Sequence, residues 1–214
     1  MKNIKFSSQA DLWFPTTIWT SILEPDSKSK INEEILKCLN PYIENSDLKN
    51  INYVVTETDL HTKKNFKLTT FFLNRVVFEY LKFLKLEHHD FEITGCWGNI
   101  TRQNFSHTNH SHQNNFVSGV YYVQTDKGKT DKIHFNDPRE QNKVLVPIPS
   151  VNTRNNTNGA MLDAKEGSVI LFPSWLRHEV PVHTSNDNRI SIAFNAMFTN
   201  IENMSKPGFS PTKK

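Results

Sequence analysis

The chain has 214 residues, enough for one domain with a buried core, and its formal net charge of +3 comes without a block of like charges. This charge distribution argues against a nucleic-acid groove, and the longest apolar runs are far too short for a transmembrane helix. The N-terminus lacks the continuous apolar core of a signal peptide, and Cys38 and Cys96 are the only cysteines. We therefore expect a reduced protein of the cytoplasm, with neither nucleic acid nor membrane as a partner.

Two amphipathic helices are predicted in the first half of the chain. In the first, residues 25–43, apolar residues recur every four positions, and Pro41 is expected to end or kink the helix. In the second, residues 69–86, apolar residues repeat at helical spacing. Both helices are expected to pack an apolar face against a sheet. The core-facing residues are Ile31, Ile35 and Leu39 in the first helix and Leu73, Val76, Val77, Tyr80, Leu81 and Leu84 in the second.

From Phe91 onward the hydrophobic period changes to two, which is typical of strands separated by turn-rich segments. Short strands that follow two helices predict a mainly β protein, a double-sheet barrel or jelly roll with flanking helices outside. We expect one domain over residues 1–200, and a flexible tail over 201–214, which carries too little apolar surface to order itself. The predicted strands are 91–100, 116–125, 132–137, 143–149, 167–173 and 188–198.

A cluster of histidines lies just before the second predicted strand, in "SHTNHSH". His110 and His112 are separated by one residue, so in extended chain both imidazoles would point to one face and could share a metal ion. The best candidate for a third ligand is His178, just beyond another predicted strand. His107 could be a ligand in place of His110, or it could support the ligands without binding the metal itself. The alternative is a polar loop that binds no metal.

The last predicted strand has one polar and one apolar face. Arg189, Ser191 and Asn195 share the polar face, and no Asp or Glu on this strand accompanies them. A buried guanidinium needs a carboxylate, so we expect a bound carboxylate ligand, helped by the Ser191 hydroxyl. Arg189 follows His178 by one short connection, which we interpret as a hairpin return that brings both side chains into one cavity. A solvent-exposed face is the alternative.

Several segments together resemble one known family. "NHSHQNNFVSGVYYV", "FNDPR", "GSVILFPSWLRHEV" and "NRISIAFNA" occur in the order and spacing of uncharacterised proteins of the 2-oxoglutarate/Fe(II)-dependent oxygenase superfamily. Similar proteins are encoded by marine bacteria and cyanophages, which would place this one in the cytoplasm of a phage host. The resemblance covers roughly residues 12–199, and its strength comes from the segments jointly.

The resemblance implies a double-stranded β-helix, or cupin-like jelly roll, with Fe(II) at its open end. His110 matches the first metal ligand of the family and His178 the distal one, while Arg189 and Ser191 match the clamp for the far carboxylate of 2-oxoglutarate. The second ligand, a carboxylate in most of the family, falls on His112. The alternatives for this position are Asp137 and Asn114.

The implied activity is a dioxygenase that couples decarboxylation of 2-oxoglutarate by O2 to hydroxylation of a substrate. The primary substrate is expected to be a peptide, an amino acid or another small molecule, and a homodimer is compatible with the sequence. Further residues expected to line the cosubstrate are Tyr121 or Tyr122, Asn99 and Asn195.

Two other functions remain open from the residues. A cupin-like dioxygenase or isomerase would use the same fold and a His-x-His pair, but it would not need Arg189 or 2-oxoglutarate. A non-catalytic structural module would have histidines that do not converge. Both alternatives predict that Fe(II) and 2-oxoglutarate do not bind together.

Overall fold

The computed structural model describes residues 7–10, 14–126, 131–139 and 144–200, which form two α-helices and ten β-strands. Among these residues, neither helix has the length and apolar character needed to span a bilayer. The helices are α1 (Pro25–Ile43) and α2 (Lys67–Phe83), and the strands are β1 (Trp19–Ile22), β2 (Tyr53–Val55), β3 (Phe91–Thr101), β4 (His107–His110), β5 (Val117–Gln124), β6 (Lys132–Asn136), β7 (Gly159–Asp163), β8 (Ser168–Pro173), β9 (His178–Val180) and β10 (Arg189–Phe198).

The strands form two antiparallel sheets. The large sheet has the order β1-β8-β5-β10-β3-β2, and the small sheet has the order β4-β9-β6-β7. From β3 to β6, and again from β7 to β10, consecutive strands alternate between the sheets, as in a jelly roll. The predicted mainly β fold with flanking helices is confirmed.

The two helices pack on one face of the large sheet, as predicted. Ile35 of α1 and Leu73 of α2 are fully buried in one cluster with Ile192 and Phe194 of β10. Pro41 does not end α1, which continues to Ile43. The apolar sides of the two helices therefore cover the apolar face of β10.

The opposite face of the large sheet meets the small sheet. A second apolar cluster fills the middle of this space, with Tyr122 and Phe172 from the large sheet and Ile133 and Phe135 from the small one. Polar residues are buried alongside it on the same strands, including Arg189 at the start of β10. The space between the sheets thus contains both an apolar cluster and buried polar side chains.

The strand predicted over 143–149 is wrong for the part that the structure describes. Residues 144–149 form no strand, and Val144 and Ile148 are 87% and 97% exposed. Pro147 and Pro149 lack backbone N–H donors, so this segment cannot complete a ladder. Lys143 lies outside the described residues.

Five short strands are absent from the predicted set: β1, β2, β4, β7 and β9. They have three to five residues each, too few for an alternating pattern to stand out. The tail predicted over 201–214 lies outside the described residues, so the domain boundary at 200 stays a prediction.

Candidate active site

Three histidines converge at one end of the space between the sheets. The candidate ligand atoms of His110, His112 and His178 all lie within 4.8 Å of one another. The ring centroids of His110 and His178 are 4.3 Å apart, and His112 lies 5.2 Å from each. The structure therefore brings together the three residues that the sequence pattern and the resemblance selected.

The small sheet positions two of these histidines and a backbone contact positions the third. His110 at the end of β4 pairs directly with His178 at the start of β9. His112 lies just beyond β4, and its backbone N–H donates to the carbonyl oxygen of Ser174, at 2.9 Å. Because Ser174 directly follows β8, this bond fixes His112 to the large sheet.

Hydrogen bonds to the backbone select the ring nitrogen that faces the centre. His178 Nδ1 lies 2.9 Å from the carbonyl oxygen of Leu176, and His110 Nδ1 lies 2.7 Å from that of Thr108. A carbonyl oxygen only accepts, so Nδ1 of each ring carries the hydrogen and Nε2 keeps its lone pair. This arrangement, in which the far ring nitrogen is anchored, is the one found around metal-bound histidines.

Burial keeps these rings in the form that binds metal. Desolvation, together with the neighbouring His110, lowers the pKa of His112 and of His178 to about 4. His178 is 4% exposed and packs on the rings of Phe172 and Phe135. Three imidazoles whose candidate ligand atoms lie within 4.8 Å of one another fit a first-row divalent ion such as Fe(II).

One alternative for the second ligand, Asp137, lies outside the cluster. Its carboxylate accepts two hydrogen bonds from the Arg139 guanidinium, at 2.9 and 2.7 Å. Asn114 has a φ of 58° in the turn before β5. The cluster thus contains a third imidazole where most of the resembling family has a carboxylate.

Arg189 is buried at the start of β10, 3% exposed, as the two-faced pattern of this strand required. No Asp or Glu of β10 accompanies it, but another segment supplies a carboxylate, because the Arg189 Nη1 atom lies 3.4 Å from Asp131 Oδ1. Its Nη2 atom lies 3.4 Å from the Thr101 hydroxyl oxygen. Asp131 precedes β6, 58 residues away in the chain, and the periodicity of β10 holds no signal for it.

The hairpin predicted between His178 and Arg189 is also wrong. β9 belongs to the small sheet and β10 to the large one, so the connection crosses between the sheets. The two residues consequently approach the same interior from opposite walls, not from neighbouring strands.

His107 connects the arginine with the histidine cluster. Its ring packs edge-on against Tyr53 and Phe105, with centroids 4.8 and 5.2 Å away. Burial first, and then the charges of Arg189 and His110, lower the pKa of His107 to about 4. The charges of Arg189 and His110 both act on His107, so the guanidinium and the histidine cluster lie near the same buried ring.

The other residues expected near the cosubstrate divide into two groups. Tyr122 is buried between the sheets, where the charge of Arg189 reaches it. Tyr121 faces the helices, and its hydroxyl donates to Asn32 of α1 at 2.6 Å. A cosubstrate contact for Tyr121 is therefore ruled out by its orientation, and Tyr122 is the inward member of the pair.

Ser191, Asn99 and Asn195 all lie on the interior face of the large sheet. Ser191 is 7% exposed and pairs with both Asn99 and Tyr122 in the neighbouring strands. The Asn99 side-chain oxygen accepts a hydrogen bond from the Tyr53 hydroxyl, and that of Asn195 accepts one from Ser118. Their oxygen atoms are thus already used within the protein.

Comparison with known proteins agrees with this geometry. Residues 95–195 match the model of a family described as "Putative 2OG-Fe(II) oxygenase". No curated protein sequence matches the chain.

Solved structures share the fold at low sequence identity. AviO1 from Streptomyces viridochromogenes Tue57 superposes with a TM-score of 0.58 at 11% identity, covering 90% of this chain and 93% of the other. A Pseudomonas putida prolyl-4-hydroxylase gives 0.55 at 12%, covering 84% and 92%. HygX from Streptomyces hygroscopicus, with nickel, 2-oxoglutarate and hygromycin B bound, gives 0.56 at 11%, covering 86% and 84%. At this identity the similarity establishes the jelly-roll fold.

Proposed function

With residues 95–195 matching the 2OG-Fe(II) oxygenase family, we propose that this protein is an Fe(II)- and 2-oxoglutarate-dependent dioxygenase that hydroxylates its substrate. The observation that carries the proposal is the convergence of His110, His112 and His178 in the same interior as a buried arginine. A metal site alone would not require Arg189 between the sheets. A dicarboxylic cosubstrate requires a metal site for one end and a cation such as Arg189 for its far carboxylate.

The three histidines would hold Fe(II), His110 and His178 through Nε2, since their Nδ1 atoms bond to backbone carbonyls that keep those two rings in place. When bound, the iron and 2-oxoglutarate supply the oxidation: 2-oxoglutarate and O2 give succinate and CO2, and the second oxygen atom enters a substrate C–H bond. Three neutral ligands contribute no negative charge. The centre therefore attracts the anionic cosubstrate more strongly than one with a carboxylate ligand would.

Arg189 binds the far carboxylate of 2-oxoglutarate, and the Ser191 hydroxyl on the same strand face assists it. Tyr122 lines the side of this cavity. Phe172 and Phe135 pack against His178 and exclude water from the side of the ligand cluster.

For the primary substrate we propose a peptidyl or amino-acid C–H group, by analogy with the superfamily. Incubation of the enzyme with peptides and small amines, followed by mass spectrometry for a gain of one oxygen atom, would identify the target. Succinate release that depends on the added compound would distinguish the true substrate from uncoupled turnover.

Anaerobic addition of Fe(II) and 2-oxoglutarate tests the proposed cofactors. We expect the visible charge-transfer band of an Fe(II)–2-oxo acid chelate in the wild-type protein and its loss in His178→Ala. His88→Ala is the matched control, because His88 stacks only on the neighbouring His89 at the far end of β3 and should leave the band unchanged.

The same titration distinguishes the proposed oxygenase from a cupin-like enzyme and from a structural module. Metal binding without a band that depends on 2-oxoglutarate would contradict the proposal and favour a cupin-like enzyme. Binding of neither metal nor 2-oxoglutarate would favour a structural module.

A further inference from the structure

Arg189 belongs to a buried ionic network with two residues outside the proposed cofactor site, Asp131 and His183. Asp131 Oδ1 is 2.7 Å from His183 Nδ1 and 3.4 Å from Arg189 Nη1. The side chains of Asp131 and His183 are entirely inaccessible to solvent, and that of Arg189 is 4% accessible. No sequence pattern pointed to Asp131 or His183, which lie 52 residues apart.

Hydrogen bonds at both ring nitrogens fix the orientation of His183. Its Nε2 atom lies 2.6 Å from the carbonyl oxygen of Asp187, which can only accept, so Nε2 carries a hydrogen. Its Nδ1 atom lies 2.7 Å from Asp131 Oδ1. The ring of His183 is thus held between the Asp187 carbonyl group and the carboxylate of Asp131.

Asp131 is held in place independently of Arg189. Its Oδ2 atom accepts the backbone N–H of Asp126 at 3.0 Å, and its own backbone N–H donates to Asp126 Oδ1 at 3.2 Å. The backbone of His183 is fixed in turn, because its N–H donates to the carbonyl oxygen of Phe105 and its carbonyl oxygen accepts from Asn104. Asp131 is therefore a fixed anchor, and the guanidinium is the group whose position depends on it.

We propose that Asp131, fixed by His183, positions the Arg189 guanidinium for the far carboxylate of the cosubstrate and so selects a 2-oxo dicarboxylic acid over a 2-oxo monocarboxylic acid. This inference rests on the proposed function. Asp131 and His183 touch neither metal nor cosubstrate in it and are positioning residues. Long bonds of 3.4 Å to Asp131 and Thr101 orient the guanidinium and leave its other donors for a ligand.

The effect of Asp131 should depend on whether the 2-oxo acid has a far carboxylate. Asp131 should affect binding of 2-oxoglutarate, which presents a far carboxylate to Arg189. It should not affect pyruvate, which has the same 2-oxo acid group for the metal but no far carboxylate. A residue needed only for folding would affect both acids equally.

The test measures the Kd of 2-oxoglutarate and of pyruvate by anaerobic titration of the Fe(II) protein, with the charge-transfer band as the signal. We expect Asp131→Asn to raise the Kd of 2-oxoglutarate by about 10-fold to 100-fold, the range for a hydrogen bond between charged groups, and to leave that of pyruvate nearly unchanged. The control is Asp163→Asn, which removes a surface carboxylate paired with Lys132, the residue next to Asp131, and should bind both acids like the wild type.

A pair of His183 variants keeps the proposal testable if Asp131→Asn does not fold. His183→Asn places an amide where Nδ1 lies and retains the bond to Asp131, so it should keep most of the affinity for 2-oxoglutarate. His183→Gln places its amide where Nε2 lies and should lose affinity for 2-oxoglutarate but not for pyruvate.

Two results would overturn the proposal: wild-type affinity for 2-oxoglutarate in both Asp131→Asn and His183→Gln, or an equal loss of affinity for both acids. Failure of the proposed function would look different, since the wild-type protein itself would then show no band with 2-oxoglutarate. That result would remove this inference with it.

Discussion

At the scale of single residues, burial decides the charge of the histidines around the site. Desolvation is the largest influence on His107, His112 and His178, and it lowers the pKa of each from its ordinary value to about 4. His183 is buried as deeply but has an acceptor at each ring nitrogen. Identical side chains thus lie in different hydrogen-bonding environments beside the metal position and beside Arg189.

The lowered pKa values predict how the metal-free protein responds to acid. Between about pH 6.5 and pH 4 these rings take up protons in the unfolded chain but not in the folded one. Stability is therefore complete above pH 6.5 and falls as the pH decreases through this window, by at most about 1.4 kcal/mol per pH unit for each ring. Urea unfolding of the chelator-treated protein at several pH values would measure the slope.

A variant that removes one titrating ring provides the control for this prediction. His107→Phe keeps an aromatic ring between Tyr53 and Phe105 and should reduce the loss of stability between pH 7 and pH 5. Equal slopes in the wild-type protein and in His107→Phe would show that His107 titrates at its ordinary pKa.

At the scale of elements, the last strand determines both the core and the site. Its apolar face contributes Ile192 and Phe194 to the cluster under the helices, and its polar face contributes Arg189 and Ser191 to the interior. The strand lies between β3 and β5 at the centre of the large sheet. Close packing on its apolar face thereby fixes the position of its polar face.

Gly119 of β5 offers a test of that packing. It lies opposite both Phe194 and Leu171, and a Cβ atom added to it would meet the Phe194 ring and come within 2.6 Å of a Leu171 methyl group. We expect Gly119→Ala to lower the free energy of unfolding by about 1–3 kcal/mol, the usual cost of overpacking. Urea unfolding at neutral pH would measure it.

Gly95 of β3 is the matched control, since it is also a strand glycine but its nearest neighbour would be 3.6 Å from an added Cβ atom. Gly95→Ala should change stability by less than about 1 kcal/mol. A similar effect of the two substitutions would contradict the role assigned to the contact between Gly119 and Phe194.

At the scale of the whole molecule, the candidate site joins the two sheets. His110 and His178 come from the small sheet, and Arg189 comes from the large one. A ligand that contacts both sets of residues is bound only when the sheets are in their native arrangement. Its binding free energy is therefore added to the stability of the fold.

Thermal unfolding can measure separately how much Fe(II) and 2-oxoglutarate each stabilise the protein. Fe(II) should raise the Tm of the wild-type protein, and 2-oxoglutarate at 100 times its Kd should add about 2.7 kcal/mol of stability beyond the metal. Arg189→Ala should keep the increase with Fe(II) but lose the increment with 2-oxoglutarate. Differential scanning calorimetry under nitrogen would measure both.

Arg75→Ala is the control for this experiment, because Arg75 lies on the exposed face of α2 and pairs with Glu79 there. It should retain both increases in Tm. A full 2-oxoglutarate increment in Arg189→Ala would show that another group holds the far carboxylate.

The local patterns of the sequence were sufficient to predict the two helices, the strands β3, β5, β6, β8 and β10, and the side that α1 and β10 bury. The spacing of Ile31, Ile35 and Leu39 predicts the buried side of α1, and the alternation after Arg189 predicts which residues of β10 face the helices. Such periodicities are visible because each residue of a regular element repeats the environment of its neighbours. The His-x-His pair was identified for the same reason.

The tertiary structure alone decided which distant groups meet. Asp131 joins Arg189 and His183 across 58 and 52 residues, and β9 and β10 lie in different sheets although they are consecutive. Contacts of this kind arise when the sheets pack, so they leave no period in the sequence. Strands of three or four residues are likewise defined by their hydrogen-bonded partners and not by their own composition.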